Sequence, residues 1–236
     1  MPNPILVALD TTSTAEAVGL CKTLEGLVGG VKLGLEFFTA NGPDGVRAVA
    51  ETGQPLFLDL KFHDIPRTVA KAGVEAARLG VKMFDVHASG SAGMMRATVI
   101  EVNRACRREA LRKPKILAVT VLTSLGDEDL KAIGYAVTAA ELVERRVRQA
   151  VEAGCDGVIS SPREAALARR IGGPGFLVVT PGVRPAGASM DDQARAAAPA
   201  EALKAGASHL VVGRPIIAAP DPRAAAEAIA REMAGA

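Results

Sequence analysis

Phe57-Leu58-Asp59-Leu60-Lys61-Phe62-His63-Asp64-Ile65-Pro66-Arg67-Thr68 decides how the rest of this 236-residue chain is read. It opens as an apolar run behind Gly53-Gln54-Pro55, the pattern of a buried strand. Alternate side chains of a strand share a face, so Asp59 and Lys61 point one way and Leu58 and Leu60 the other. Pro66 suits the first turn of a following helix, and Asp64 stands just before it. Two carboxylates and an ammonium, at i, i+5 and i+2, thus gather where a strand passes into a helix. Desolvating them costs a great deal unless they neutralise each other. Such a group either closes a strand end as a structural ion-pair cluster or carries chemistry. The strand-to-helix loop favours chemistry, because α/β proteins place their reactive groups there.

Outward from this stretch, strand-like and helix-like segments alternate to both ends. Strands are expected over residues 5–10, 31–35, 56–61, 83–88, 116–122, 157–160, 176–180 and 209–212. Helices are expected over residues 14–28, 43–52, 66–79, 92–111, 139–153, 163–170, 199–204 and 222–233. Eight βα units in this length predict an α/β fold, a single (β/α)8 TIM barrel spanning residues 1–236 as one catalytic domain. Gly80, Gly154 and Gly206 each fall between a helix and the next strand, where C-terminal caps belong. An open doubly wound sheet is the competing architecture. Its first βα turn carries a glycine fingerprint, whereas here that turn is Asp10-Thr11-Thr12-Ser13, and neither GxGxxG nor GxxxxGK occurs.

With no Trp and one Tyr, the core must be built from aliphatic side chains. A net charge of +2 gives no case for a nucleic-acid partner. Cys21, Cys106 and Cys155 are odd in number and widely spaced, which suits small apolar roles in a reducing compartment. No run reaches membrane-spanning length, and the start shows no signal-peptide pattern, so a cytoplasmic enzyme or binding protein is expected, with no membrane partner.

A closed barrel brings its C-terminal strand ends together. Asp10 ends the first strand, as a site residue or as a cap on the helix that follows. Lys32 lies between Val31 and Leu33 and faces away from both, toward Asp59 and Lys61. His87, with Asp59, Asp64 and Asp85, has the residue types of a divalent-metal site. Thr123-Ser124 offers hydroxyls to a polar ligand edge or caps a turn. Residues 181–193, beginning Pro181-Gly182-Val183-Arg184, form a long Gly/Pro/Ala-rich connection of the kind that makes a lid. Gly213-Arg214 follows the last strand, where such barrels commonly bind phosphate. The basic series ending at Lys115 complements a helix dipole and is solvated.

Taken together these residues resemble the orotidine 5′-phosphate decarboxylase family over the whole barrel. The likeness rests on Asp59-Leu60-Lys61-Phe62-His63-Asp64-Ile65-Pro66, on Thr180-Pro181-Gly182-Val183-Arg184-Pro185 with Asp191-Asp192-Gln193, and on Val212-Gly213-Arg214-Pro215, with Asp10 and Lys32 at the expected strands. The resemblance implies conversion of orotidine monophosphate to uridine monophosphate and CO2, the last step of de novo pyrimidine biosynthesis, with no metal and no cofactor. It implies an alternating array of Lys32, Asp59, Lys61 and Asp64. In it Lys61 protonates the C6 carbanion, and Asp64 comes from the other subunit of a homodimer. Asp10 and Lys32 are then expected at the ribose, with Ile65 and Thr68 from the partner. Thr123 and Ser124 are expected at the pyrimidine. Pro181, Arg184, Gln193, Gly213 and Arg214 are expected at the phosphate. The rival readings are a metal-dependent keto-sugar-phosphate decarboxylase or aldolase on the same barrel, and a non-catalytic phosphate-binding barrel.

Overall fold

A computed structural model describes residues 3–183 and 197–234. Among these residues eight parallel strands close a barrel in chain order: β1 (Ile5–Ala8), β2 (Gly30–Leu33), β3 (Leu56–Phe62), β4 (Met83–His87), β5 (Lys115–Val119), β6 (Gly157–Ile159), β7 (Leu177–Thr180) and β8 (His209–Val212). β1 pairs with β8 through Leu6 and Val211, which closes the ring and leaves no sheet edge. The expected (β/α)8 architecture is therefore observed.

Side-chain alternation sorts the strands into two apolar layers. Leu6, Ala8, Phe57, Met83, Leu117, Val119, Ile159, Val179 and Val211 fill the barrel interior. Their sequence neighbours, such as Val7, Val31, Leu58, Phe84 and Val212, form the layer beneath the helices. The interior layer stops short of the C-terminal mouth on β2 and β3, where Lys32 and Asp59 take inward positions instead.

The outer ring is α1 (Thr14–Thr23), α2 (Leu35–Ala50), α3 (Pro66–Arg78), α4 (Ala92–Arg108), α5 (Asp127–Ala132), α6 (Ala139–Ala153), α7 (Ala165–Gly172), α8 (Pro199–Lys204), α9 (Arg214–Ile217) and α10 (Pro222–Ala234). α6 has a clear start and stop. Thr138 and Glu141 form a capping box, and Gly154 ends the helix in the left-handed region at φ 82°. Four helical segments depart from the sequence expectation, one of them α9, which forms where only a loop was expected after β8. The helix expected over residues 43–52 begins at Leu35 and runs through a kink at Gly42, φ 60° and ψ −161°. Pro43 cannot donate a backbone hydrogen bond and disfavours helical geometry in the residue before it, so the first arm was hidden behind an apparent start signal. α1 ends at Thr23, before the expected residue 28, and Gly26 turns the chain at φ 74°. α5 lies where only a loop was expected. It is one and a half turns long and is held through Asp127, which accepts from the backbone N–H of Ala139 at 2.7 Å.

Candidate active site

β3 does not run regularly to its end. Phe57 and Leu58 pair with Met83 and Phe84, but the next pair is Phe62 with Val86, so β3 carries an irregularity between Leu58 and Phe62. Lys61 sits inside it at φ 50°. A non-glycine residue held in the left-handed region costs roughly 1–3 kcal/mol, and such strain concentrates at functional positions. The Lys61 N–H, removed from the regular ladder, donates to Asp85 Oδ1 at 2.8 Å. The inward face predicted for Asp59 and Lys61 is kept, because both line the cavity at the barrel mouth.

Asp59 is the hub of that face. Its Oδ1 lies 2.6 Å from Lys61 Nζ and its Oδ2 lies 3.3 Å from Lys32 Nζ. Lys32 Nζ also reaches Asp10 Oδ1 at 3.6 Å. A row of alternating charge, Asp10–Lys32–Asp59–Lys61, thus crosses from β1 to β3. Burial pushes the Asp59 carboxyl up, but the ammoniums of Lys32 and Lys61 outweigh it and hold it down at about 2. Burial works to lower Lys61, yet the Asp59 carboxylate carries it above its ordinary value, so Lys61 holds its proton at neutral pH.

The cavity has a volume of ≈ 270 Å³. Asp10, Lys32, Asp59 and Lys61 make one wall; Phe57, Val119, Ile159 and Val211 are among its apolar lining; Thr123, Pro181, Gly182, Gly213 and Arg214 stand at the rim. Residues predicted from four separate loops therefore converge on one space. Ser124 is exposed and lies outside that lining. Asp64 and Ile65, on the exposed connection into α3, and Thr68, in its exposed first turn, also lie outside it. Asp64 Oδ1 accepts from the Ile65 N–H at 2.6 Å, and Ile65 is 67% exposed. Arg184 and Gln193, with Asp191 and Asp192, lie outside the described residues.

The metal grouping of Asp59, Asp64, Asp85 and His87 does not assemble. Among the described residues no three His, Cys, Asp or Glu side chains stand together as a metal site. Asp59 is engaged by two ammoniums, and Asp64 is on the surface. His87 stacks on His63 with ring centroids 5.3 Å apart, and burial, then Arg146, lower it to about 4.

Two residues matter here that the sequence did not single out for these roles. Asp85, fully buried, supports the Lys61 backbone. Arg146 of α6 is buried, donates to the Thr120 carbonyl and, through Nη2, to the Tyr135 hydroxyl at 2.8 Å. It thereby fixes the exit of β5 that leads to Thr123. Asp85 had a signal, being a charge between Phe84 and Val86 in an otherwise apolar strand. Arg146 had none, since an Arg on a long helix ordinarily faces water.

A parallel (β/α)8 barrel with an ammonium pair locked around one carboxylate at its C-terminal mouth defines a barrel enzyme that acts by fixed charge on a small polar molecule. A sequence profile described as "Orotidine 5′-phosphate decarboxylase / HUMPS family" matches residues 3–229. The orotidine 5′-phosphate decarboxylase of Caulobacter sp. (strain K31) is 51% identical over 231 residues, covering 98% of this chain and 97% of that one. That of Paramagnetospirillum magneticum is 47% identical over 233 residues, covering 99% of each. A crystal structure of orotidine 5′-phosphate decarboxylase from Lactobacillus acidophilus superposes with TM-score 0.82 at 38% identity, over 98% of this chain and 99% of that one. The chain belongs to the orotidine 5′-phosphate decarboxylase / HUMPS family.

Proposed function

We propose that this chain decarboxylates orotidine 5′-monophosphate to uridine 5′-monophosphate, the last step of de novo pyrimidine biosynthesis, with Lys61 delivering the proton. The observation that carries the reading is the Asp59 carboxylate gripped by Lys32 at 3.3 Å and Lys61 at 2.6 Å on one wall of the cavity. Breaking the C6–carboxylate bond releases CO2 and leaves the electron pair on C6, with no adjacent group to absorb it. A preorganised ammonium is the stabiliser such an anion needs. Lys61 then gives a proton to C6 and regains one from solvent. Asp59 orients Lys61 and, standing anionic beside the substrate carboxylate, disfavours the bound ground state.

In this reading Asp10 and Lys32 hold the ribose hydroxyls, and Thr123 faces the pyrimidine. Pro181, Gly213 and Arg214 take the phosphate with Arg184 and Gln193. The phosphate is remote from the bond that breaks, so its binding energy is available to raise the rate as the site closes. Asp64, Ile65 and Thr68, exposed on one chain, serve the site of the second chain of a homodimer. The array works without metal or organic cofactor, and the enzyme acts in the cytoplasm. Among the described residues no helix is long and apolar enough to cross a membrane.

The test is ultraviolet absorbance of orotidine monophosphate with the purified protein, with and without a chelator. Loss of substrate at equal rates in both supports the reading. Turnover abolished by EDTA and restored by Mg2+ favours the keto-sugar-phosphate alternative.

A further inference from the structure

Asp85 is 0% exposed, and its two oxygens have unequal surroundings. Oδ1 accepts from the Lys61 backbone N–H at 2.8 Å, while Oδ2 meets no donor among the described residues. The side chain against it is Asp59, whose own oxygens accept from Lys61 and face Lys32. Two carboxyl oxygens in contact form a hydrogen bond only when one of them carries a proton. The charged groups around Asp85 are Asp59 and Lys61 of β3. Its own strand adds His87 two residues on, and β5 presents the apolar Leu117 in register. The Lys61 ammonium is already committed to Asp59 at 2.6 Å.

We propose that Asp85 is a positioning residue that works as a neutral carboxylic acid, holding the strained Lys61 backbone through Oδ1 and donating its hydroxyl to Asp59. The inference rests on the reading of Lys61 as the cation of the reaction. The proton belongs on Asp85 because the two sites differ sharply. Asp59 has two ammoniums to stabilise its charge, whereas burial, then the neighbouring Asp59 charge, pushes Asp85 well above the usual carboxylate range. The acid then does two things for the site. It pins the left-handed backbone of Lys61, which aims the ammonium, and it gives Asp59 a further donor that keeps it anionic.

The test compares Asp85→Asn with Asp85→Leu. The amide keeps an acceptor for the Lys61 N–H and a donor for Asp59; Leu removes both. Asp85→Leu should lose about a hundredfold or more in kcat with little change in KM, the scale on which a displaced catalytic group acts. Asp85→Asn should recover most of that loss. If Asn loses as much as Leu, an ionised carboxylate is required, and if Leu keeps full kcat, Asp85 positions nothing; either result overturns the proposal. A second measurement does not depend on turnover. An acid neutral in the fold but ionised in the unfolded chain above about pH 4 loses stability as pH rises. The melting temperature of Asp85→Asn should therefore gain on that of wild type between pH 4 and pH 8. A difference that is flat with pH overturns the protonated state. Should Lys61→Ala prove fully active, the reading of Lys61 fails, while the melting comparison still decides the state of Asp85.

Discussion

Lys32→Met removes one ammonium and keeps most of the side-chain stem, so it isolates the charge on one side of Asp59. Lys32 Nζ and Asp59 Oδ2 are 3.3 Å apart with both side chains 11% exposed. At an effective dielectric of about 20, unit charges at that distance attract by about 5 kcal/mol. Relaxation and the remaining Lys61 contact reduce the net cost, and breaking a buried pair typically costs about 3–5 kcal/mol. At 1.36 kcal/mol per unit, Asp59 should rise from about 2 to roughly 4–6. In wild type the folded value of about 2 lies below the unfolded value of about 3.9, so Asp59 adds stability above pH 4 that is lost as pH falls toward 2. In Lys32→Met the folded value lies at or above the unfolded one. That contribution vanishes, and stability declines as pH rises from about 4 to 6. Urea unfolding followed by far-ultraviolet circular dichroism should show a deficit of about 3–5 kcal/mol at pH 7 that shrinks steadily toward pH 4. A deficit below about 1 kcal/mol at pH 7, or one independent of pH, would show that Asp59 does not depend on Lys32 as the geometry requires.

Arg214→Ala should lower kcat/KM for orotidine monophosphate by roughly 2–5 kcal/mol, with added phosphite partly rescuing a substrate truncated of its phosphate. Wild-type kinetics in that variant would take Arg214 out of the site. Lys61→Ala and Asp64→Ala proteins should each be nearly inactive. After mixing, unfolding and refolding, random pairing restores about a quarter of wild-type activity, because half the dimers are hybrids with one intact site. No recovery in verified hybrids would mean that Asp64 does not serve the other chain.

The sequence disclosed the barrel because strand and helix periods alternate cleanly, and each inward charge stands between apolar neighbours. Lys32 between Val31 and Leu33 and Asp59 between Leu58 and Leu60 are of this kind, and the structure pairs them at 3.3 Å. Backbone conformation was the harder part. Lys61 adopts φ 50°, a state usually marked by Gly or Asn, and nothing in its side chain announces it. Asp85 was visible as an inward charge but open to a metal-ligand reading, because sequence alone does not tell which acid faces an ammonium and which faces another acid. The first arm of α2 was masked by Gly42-Pro43, a pair that mimics a helix start while lying inside one. Arg146 was silent because its burial comes from the Thr120 carbonyl and Tyr135, partners distant in sequence.

The proposed decarboxylation depends on the ammonium of Lys61, aimed by Asp59. The most direct test of that dependence is single-turnover decarboxylation of orotidine monophosphate by Lys61→Ala beside wild type, with bound substrate verified in both. Lys61→Ala should bind substrate yet lose at least about a thousandfold in the chemical step, because both the stabilising charge and the proton donor are gone. A chemical step within about tenfold of wild type, a difference of only about 1.4 kcal/mol, would contradict it.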